Sequence, residues 1–198
     1  MKLAREFYLR NGLDVARDLI GKKLVHRTAD GTTSGIIVET EAYMGTIDAA
    51  AHSYKGLTER TKIQFGSGGY AYVYQIYGMY FCMNVVANVE NIPDAVLIRA
   101  LKPVDGVELM KMRRGKNNLR DLCSGPGKLA QALAITKNHY GADLCGDEVF
   151  IETAILNPAV TATKRINIDY AGDAANFLWR FILTDSKFIS AKVNPNPS

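Results

Sequence analysis

Three observations predict a single domain of mixed α and β structure. A chain of 198 residues fills one well-buried domain and is too short for two comfortable ones. Its composition, 47% hydrophobic and 22% charged, is that of a soluble globular protein. Along it, alternating aromatic and β-branched runs of strand length are interleaved with short pieces that carry helix caps, without internal repeats or a linker.

Residues 1–20 read as short helical pieces. Asn11 or Asp14 can cap a turn through Val15, Ala16, Leu19 and Ile20, and Gly21 closes it. Lys22–His26 and Thr33–Tyr43 read as strands joined at Asp30-Gly31. The second ends in Val38-Glu39-Thr40-Glu41-Ala42-Tyr43, where two carboxylates alternate with small residues, a poor core strand. From Gly45 to Gly69 the chain is loop-like, long enough to be either functional or disordered. His52, Thr58, Arg60 and Lys62 lie in it, and the last three suit phosphate contacts as well as they suit a solvated loop.

Tyr70 to Asn84 is the densest aromatic stretch, with five of the ten tyrosines in it. Strict alternation from Tyr70 predicts a strand that points Tyr70, Tyr72 and Tyr74 to one face and Ala71, Val73 and Gln75 to the other. Gly78 easily takes φ > 0, so a hairpin turns at about Tyr77-Gly78 and lifts Tyr77 onto its tip. Such a tip ring fits a wedge between stacked bases; an ordinary core hairpin fits the same letters. Ala95–Leu101 reads as a buried strand with one arginine, Arg99, which needs an anionic partner there. After Pro103, Asp105 can cap a helix to about Arg114, closed by Gly115. Arg113, Arg114, Lys116 and Arg120 follow as a basic, solvated run.

Cys123-Ser124-Gly125-Pro126-Gly127-Lys128 precedes good helix formers. Its glycines and lysine suit a phosphate oxygen or a plain helix start, and it lacks the spacing of a P-loop. Phe150–Ile155, Arg165–Ile168 and Leu178–Leu183 read as strands, and residues 192–198 as a frayed tail after a domain of residues 1–191. Three widely spaced cysteines give neither a disulfide framework nor a zinc pattern. Charges in Met1–Glu6 exclude a signal-peptide core, and Arg99 interrupts the best apolar run, so a cytoplasmic chain is expected. The formal charge of +4 permits a polyanionic partner without demanding one.

Five segments, in this order, resemble the alkyladenine (3-methyladenine) DNA glycosylase family, the type that also includes the mammalian enzyme. They are Glu39–Tyr43, Ala50–Ser53, Tyr72–Asn84, Leu97–Leu101 and Leu122–Pro126. The resemblance runs from about Ala16 to Asp147 and weakens beyond. It implies an α+β fold: a single domain with a curved, mostly antiparallel sheet, flanking short helices and a protruding β-hairpin. It implies Glu41 as the base that activates water, with Arg99 holding that water. Tyr43, His52 and Tyr74 line the pocket for the extruded base, and Asn84 rejects guanine by crowding its amino group. Tyr77 enters the duplex, while Thr58, Arg60 and Lys128 contact phosphates. The implied partner is double-stranded DNA with damaged purines, approached as a monomer and associated with no membrane. Neither metal nor organic cofactor is implied. One departure is Asn167, where the family often has glycine after Arg165-Ile166.

Elementary chemistry agrees with these roles. A duplex base must leave the stack to be reached, at a cost of a few kcal/mol. Stacking on aromatic rings returns ~1–3 kcal/mol per base. Glycosidases acting on neutral leaving groups use two carboxylates, whereas a purine made cationic by alkylation needs little acid help, so one base suffices. Two other readings fit parts of the pattern: a non-catalytic nucleic-acid-binding domain, which has no use for Glu41 opposite Arg99, and a nucleoside hydrolase, which has no use for the wedge. No lysine falls in the pocket motifs, so base release without strand scission is expected.

Overall fold

In the computed structural model, which describes residues 1–191, two short helices open the chain: α1 (Arg5–Tyr8) and α2 (Gly12–Asp18). The Asn11 side chain accepts the Leu13 N–H at 2.9 Å and caps α2. Strands β1 (Lys23–Thr28) and β2 (Gly31–Met44) form a hairpin turning at Asp30-Gly31. Three short 3-10 turns, Gly45–Ile47, His52–Lys55 and Lys62–Phe65, fill what the sequence leaves as loop. Then come β3 (Ala71–Ile76), β4 (Tyr80–Ala87) and β5 (Asp94–Pro103). Helices α3 (Val107–Arg114), α4 (Leu119–Cys123) and α5 (Pro126–Ala132) precede β6 (Val149–Glu152), β7 (Val160–Thr163) and β8 (Arg180–Leu183).

All these strands join one curled antiparallel sheet in the order β3-β4-β5-β2-β1-β6, with β8 on β2 and β7 on β8. The fold is therefore α+β, with a curved sheet and a projecting hairpin. On one face Ala71, Val73, Met83, Val85, Val96 and Ile98 pack with α2 and α5 into the main core. On the other face of the same strands lie Tyr72, Tyr74, Cys82, Asn84, Leu97 and Arg99. Period-two alternation thus gives small and branched residues to the core and leaves the tyrosines for a second, aromatic face.

Two register breaks make this division work along β2. Ile37 faces Leu101 and Thr40 faces Ile98, but Glu39 faces Ala100, so Val38 and Arg99 are skipped in the pairing. Before the break, Ile37 and Leu101 point into the core; after it Ala42, Val96 and Ile98 do. Unbroken alternation from Ile37 would drive Glu39 and Glu41 into that apolar core. The irregularity turns both carboxylates and Arg99 to the opposite face.

Three expectations are corrected. Asp105 does not cap α3: its carboxylate takes the Ser34 hydroxyl at 2.5 Å, and the helix starts after Gly106 in the left-handed region, φ 69°. Arg165–Ile168 is not a strand, and Val160–Thr163 is. The strand expected over Phe150–Ile155 ends at Glu152. The expected frayed tail, 192–198, lies outside the described residues.

Candidate active site

A cavity of about 430 Å³ opens on the tyrosine face of the sheet. Tyr43, Ala50, His52, Tyr72, Tyr74 and Asn84 line it, and Arg99 and Leu97 enter it from β5. Glu41 sits directly behind this lining and has no accessible surface. Its Oε2 accepts from Arg99 Nη1 at 3.2 Å and from the Tyr43 hydroxyl at 2.9 Å, and its Oε1 accepts the Ile166 N–H at 2.7 Å. Glu41, Tyr43 and Arg99 therefore converge, with Glu41 reached through a single hydrogen bond from either cavity-lining partner. A carboxylate offers about four lone-pair sites. Three are taken, and one on Oε1 remains.

Burial, reinforced by the adjacent Glu41 charge, holds the Tyr43 phenol well above its usual range, so it stays a neutral donor. Burial does the same for Tyr74. His52 packs edge-on against Tyr74, with ring centroids 4.6 Å apart, and its Nδ1 lies 2.8 Å from the Tyr72 hydroxyl. Burial first and the Arg60 charge second push His52 down to about 4, so it is a neutral ring at physiological pH. Because Arg60 can only donate, its 3.4 Å contact makes His52 Nε2 the acceptor and leaves the proton on Nδ1. Asn84 is held by its amide donating to Tyr72 O at 3.1 Å.

The residues expected to meet DNA divide. Tyr77 stands at the hairpin tip, 86% exposed, with φ 50° followed by Gly78 at φ 69°. Two left-handed residues in succession make the tight turn, and Gln75 braces it by donating to Gly78 O at 2.6 Å. Arg60 is exposed and also borders the cavity, its guanidinium 5.1 Å from the Tyr74 ring centre. Thr58 is exposed and ties its own loop, its hydroxyl 3.0 Å from that of Thr61. Lys128 is exposed on the first turn of α5, whose Pro126 borders the cavity.

The sequence matches the model of the methylpurine-DNA glycosylase family over residues 6–187, which includes the cavity and both carboxylates. The chain belongs to that family. It is 53% identical over 202 residues to a protein of Alkaliphilus oremlandii, covering 97% of this chain and all of the relative. It is 47% identical over 200 residues to one of Clostridium novyi (96% and 99% covered) and 45% identical over 192 residues to one of Methanocella arvoryzae (96% of each). All three bear the name "putative 3-methyladenine DNA glycosylase". Membership supports a DNA glycosylase role in DNA repair, with DNA as its substrate. The match continues well past Asp147, where the likeness seen in the sequence weakens.

Several residues of this glycosylase's site escape a reading of the sequence. Ile166, Asn167, Ile168 and Tyr170 form a wall of the cavity. Asn167 has φ 58°, a conformation natural to glycine and tolerated by asparagine. Arg165 binds Asp48 with both terminal nitrogens, Nη2 to Oδ1 at 2.8 Å, and lies 4.9 Å from the Tyr43 ring centre. Asp48 in turn accepts the N–H groups of Met44 and Ala50, holding the segment that leads to His52. Behind Arg99 stands Glu39, fully buried, accepting from Arg99 Nε at 3.2 Å, Arg180 Nε at 2.7 Å and the Ser190 hydroxyl at 2.8 Å. Two carboxylates and two guanidinium groups thus balance within one buried cluster. The paired carboxylates and lone arginine were visible signals; Asp48, Arg165 and Arg180 gave none.

Elsewhere His26, His139 and Glu148 bring one ligand atom each within 4.8 Å of one another. His139 Nδ1 accepts the Thr136 N–H at 3.0 Å and its Nε2 faces Glu148 Oε1 at 3.7 Å, while His26 Nδ1 donates to the Leu133 carbonyl at 2.5 Å. Both imidazoles are thus oriented by backbone bonds. Among the described residues, no helix is long and apolar enough to cross a membrane.

Proposed function

We propose that the protein is a monofunctional glycosylase that extrudes damaged purines from duplex DNA and hydrolyses their N-glycosidic bond with water activated by Glu41. The observation that carries this reading is the buried Glu41 carboxylate, bonded to both Arg99 and Tyr43 beneath a cavity of purine-admitting size. In this reading Tyr77 enters the stack where the base has left. The extruded base lies among Tyr43, Tyr74 and His52, whose neutral rings offer π faces. Asn84, fixed by Tyr72 O, crowds the exocyclic amino group of guanine.

Water that enters between Tyr43 and Arg99 meets the Glu41 carboxylate, gives up a proton and attacks the sugar carbon as the base departs. Arg99 orients the carboxylate and remains a donor throughout. A base already cationic leaves with its bonding electrons unaided, and a single carboxylate then completes the reaction. No lysine lines the cavity among the described residues, so the product is an abasic site with an intact strand. The protein acts as a monomer, and Thr58 and Lys128 serve as phosphate contacts at the rim.

Glu41→Gln tests the assignment. It keeps the shape and one acceptor oxygen, enough for the bond from Arg99 or the bond from Ile166 but not both, and removes the base. Release of 3-methyladenine from alkylated duplex should fall by at least about a hundredfold, within the range expected of a general base, while lesion-duplex binding survives. A denaturing gel of wild-type product should show breaks only after alkali. Retained release with lost binding would remove Glu41 from the chemistry, whereas wild-type protein that binds the lesion duplex and releases no base would favour a binding module.

A further inference from the structure

Arg60 differs from every other cation at the cavity. Arg99 and Arg180 are balanced by Glu39 and Glu41. Arg165 is balanced by Asp48. Among the described residues no carboxylate comes within ion-pair distance of Arg60, and its neighbour Glu59 is engaged by Lys62 at 2.8 Å. Its guanidinium lies instead over Tyr74, 5.1 Å from the ring centre, with Nη2 3.4 Å from His52 Nε2. The surplus charge of the base site is therefore positive, and it rests on one of the rings offered to the base.

We propose that Arg60 is a specificity-determining residue: a cation on the Tyr74 ring without a carboxylate partner, it weakens the binding of cationic purines relative to uncharged ones such as hypoxanthine and so narrows the preference of the site for alkylated bases. This rests on the base-excision reading above. Two effects act in the same direction. A cation on the Tyr74 ring already uses the attraction that would otherwise favour an alkylated, positively charged base. Like charges about 6 Å apart also repel, and for an exposed guanidinium, with an effective dielectric near ~80, the repulsion changes a binding ratio by about threefold. A neutral purine meets neither effect. The neutral His52 ring adds no second charge, and its Nε2 holds Arg60 in place.

The test compares wild type, Arg60→Gln and Arg60→Lys in single-turnover release of 3-methyladenine from methylated duplex and of hypoxanthine from inosine-containing duplex. Arg60→Gln should raise the ratio of 3-methyladenine to hypoxanthine release by at least about threefold, and Arg60→Lys should hold it near wild type. If Arg60→Gln slows both releases equally, Arg60 is a phosphate contact and the proposal is overturned. Equilibrium binding of the two lesion duplexes in a Glu41→Gln background reads the same ratio without catalysis. Wild-type protein that releases neither base refutes the excision reading, whereas an unchanged binding ratio refutes the role of Arg60.

Discussion

A buried charge is tolerable only with its partner, and Asp48 and Arg165 show how much geometry one such pair can carry. Neither side chain reaches solvent. Between them they hold the Met44 and Ala50 amides, the Ala42 and Ala174 carbonyls and the rear of the Tyr43 ring. Asp48→Asn leaves the guanidinium uncompensated in the interior. The expected loss is about 3–5 kcal/mol of unfolding free energy, read as a lower urea midpoint with an unchanged slope. A loss below 1 kcal/mol, roughly the level of an exposed pair, would show that the pair is not the brace described. Such residues were illegible in the sequence because their partners are remote: Asp48 meets Arg165 across 117 positions. Glu41 and Arg99 were legible, because a carboxylate or a guanidinium in an apolar strand demands a partner.

At the level of the element, the β3–β4 hairpin was readable because two independent signals coincide on it. Alternation separates Tyr72 and Tyr74 from Ala71 and Val73, and Gly78 marks the turn. The tip is solvent-exposed and apolar, with Tyr77 and Met79 both outward, which ordinary folding does not reward. Tyr77→Ser should therefore leave the melting temperature within about 2 °C, the scale of a neutral surface substitution. It should reduce excision from duplex DNA about tenfold or more, and reduce excision from flexible single strands much less, since no stacked gap needs filling there. Equal losses on both substrates would deprive the hairpin of its wedge role and favour a nucleoside hydrolase. The register break at Val38 and Arg99 could not be read in the same way. Each strand alone looks regular, and only their pairing reveals the skipped residues. Residues 165–168 were misread for a related reason, since Ile166 and Ile168 alternate like a strand while Asn167 bends left-handed between them.

Across the whole molecule, one sheet separates two chemically different interiors, an apolar core on one side and a polar, aromatic cavity on the other. That arrangement gives stability a definite pH dependence. The folded His52 titrates near 4, through burial and the Arg60 charge, against 6.5 for a free imidazole. Between these values the unfolded chain binds a proton that the folded one refuses, so stability falls as pH drops from 6.5 to about 4. His26, lowered by burial despite its bond to Leu133 O, acts in the same sense. Urea melts across this window should show declining stability in wild type and a shallower decline in His52→Gln, which has no titrating ring. Identical slopes would mean that His52 is protonated in the folded state, and that the site is more highly charged than described.

The link between Glu39 and Ser190 spans 151 positions and ties the earliest carboxylate of the active cluster to a residue synthesised long after it. During translation, Glu39, Glu41 and Arg99 leave the ribosome well before Arg180, so the cluster carries two carboxylates against one guanidinium until Arg180 docks. The last electrostatic partner of the cluster thus arrives with the final strand, and a polypeptide that stops short of it lacks the guanidinium that neutralises Glu39.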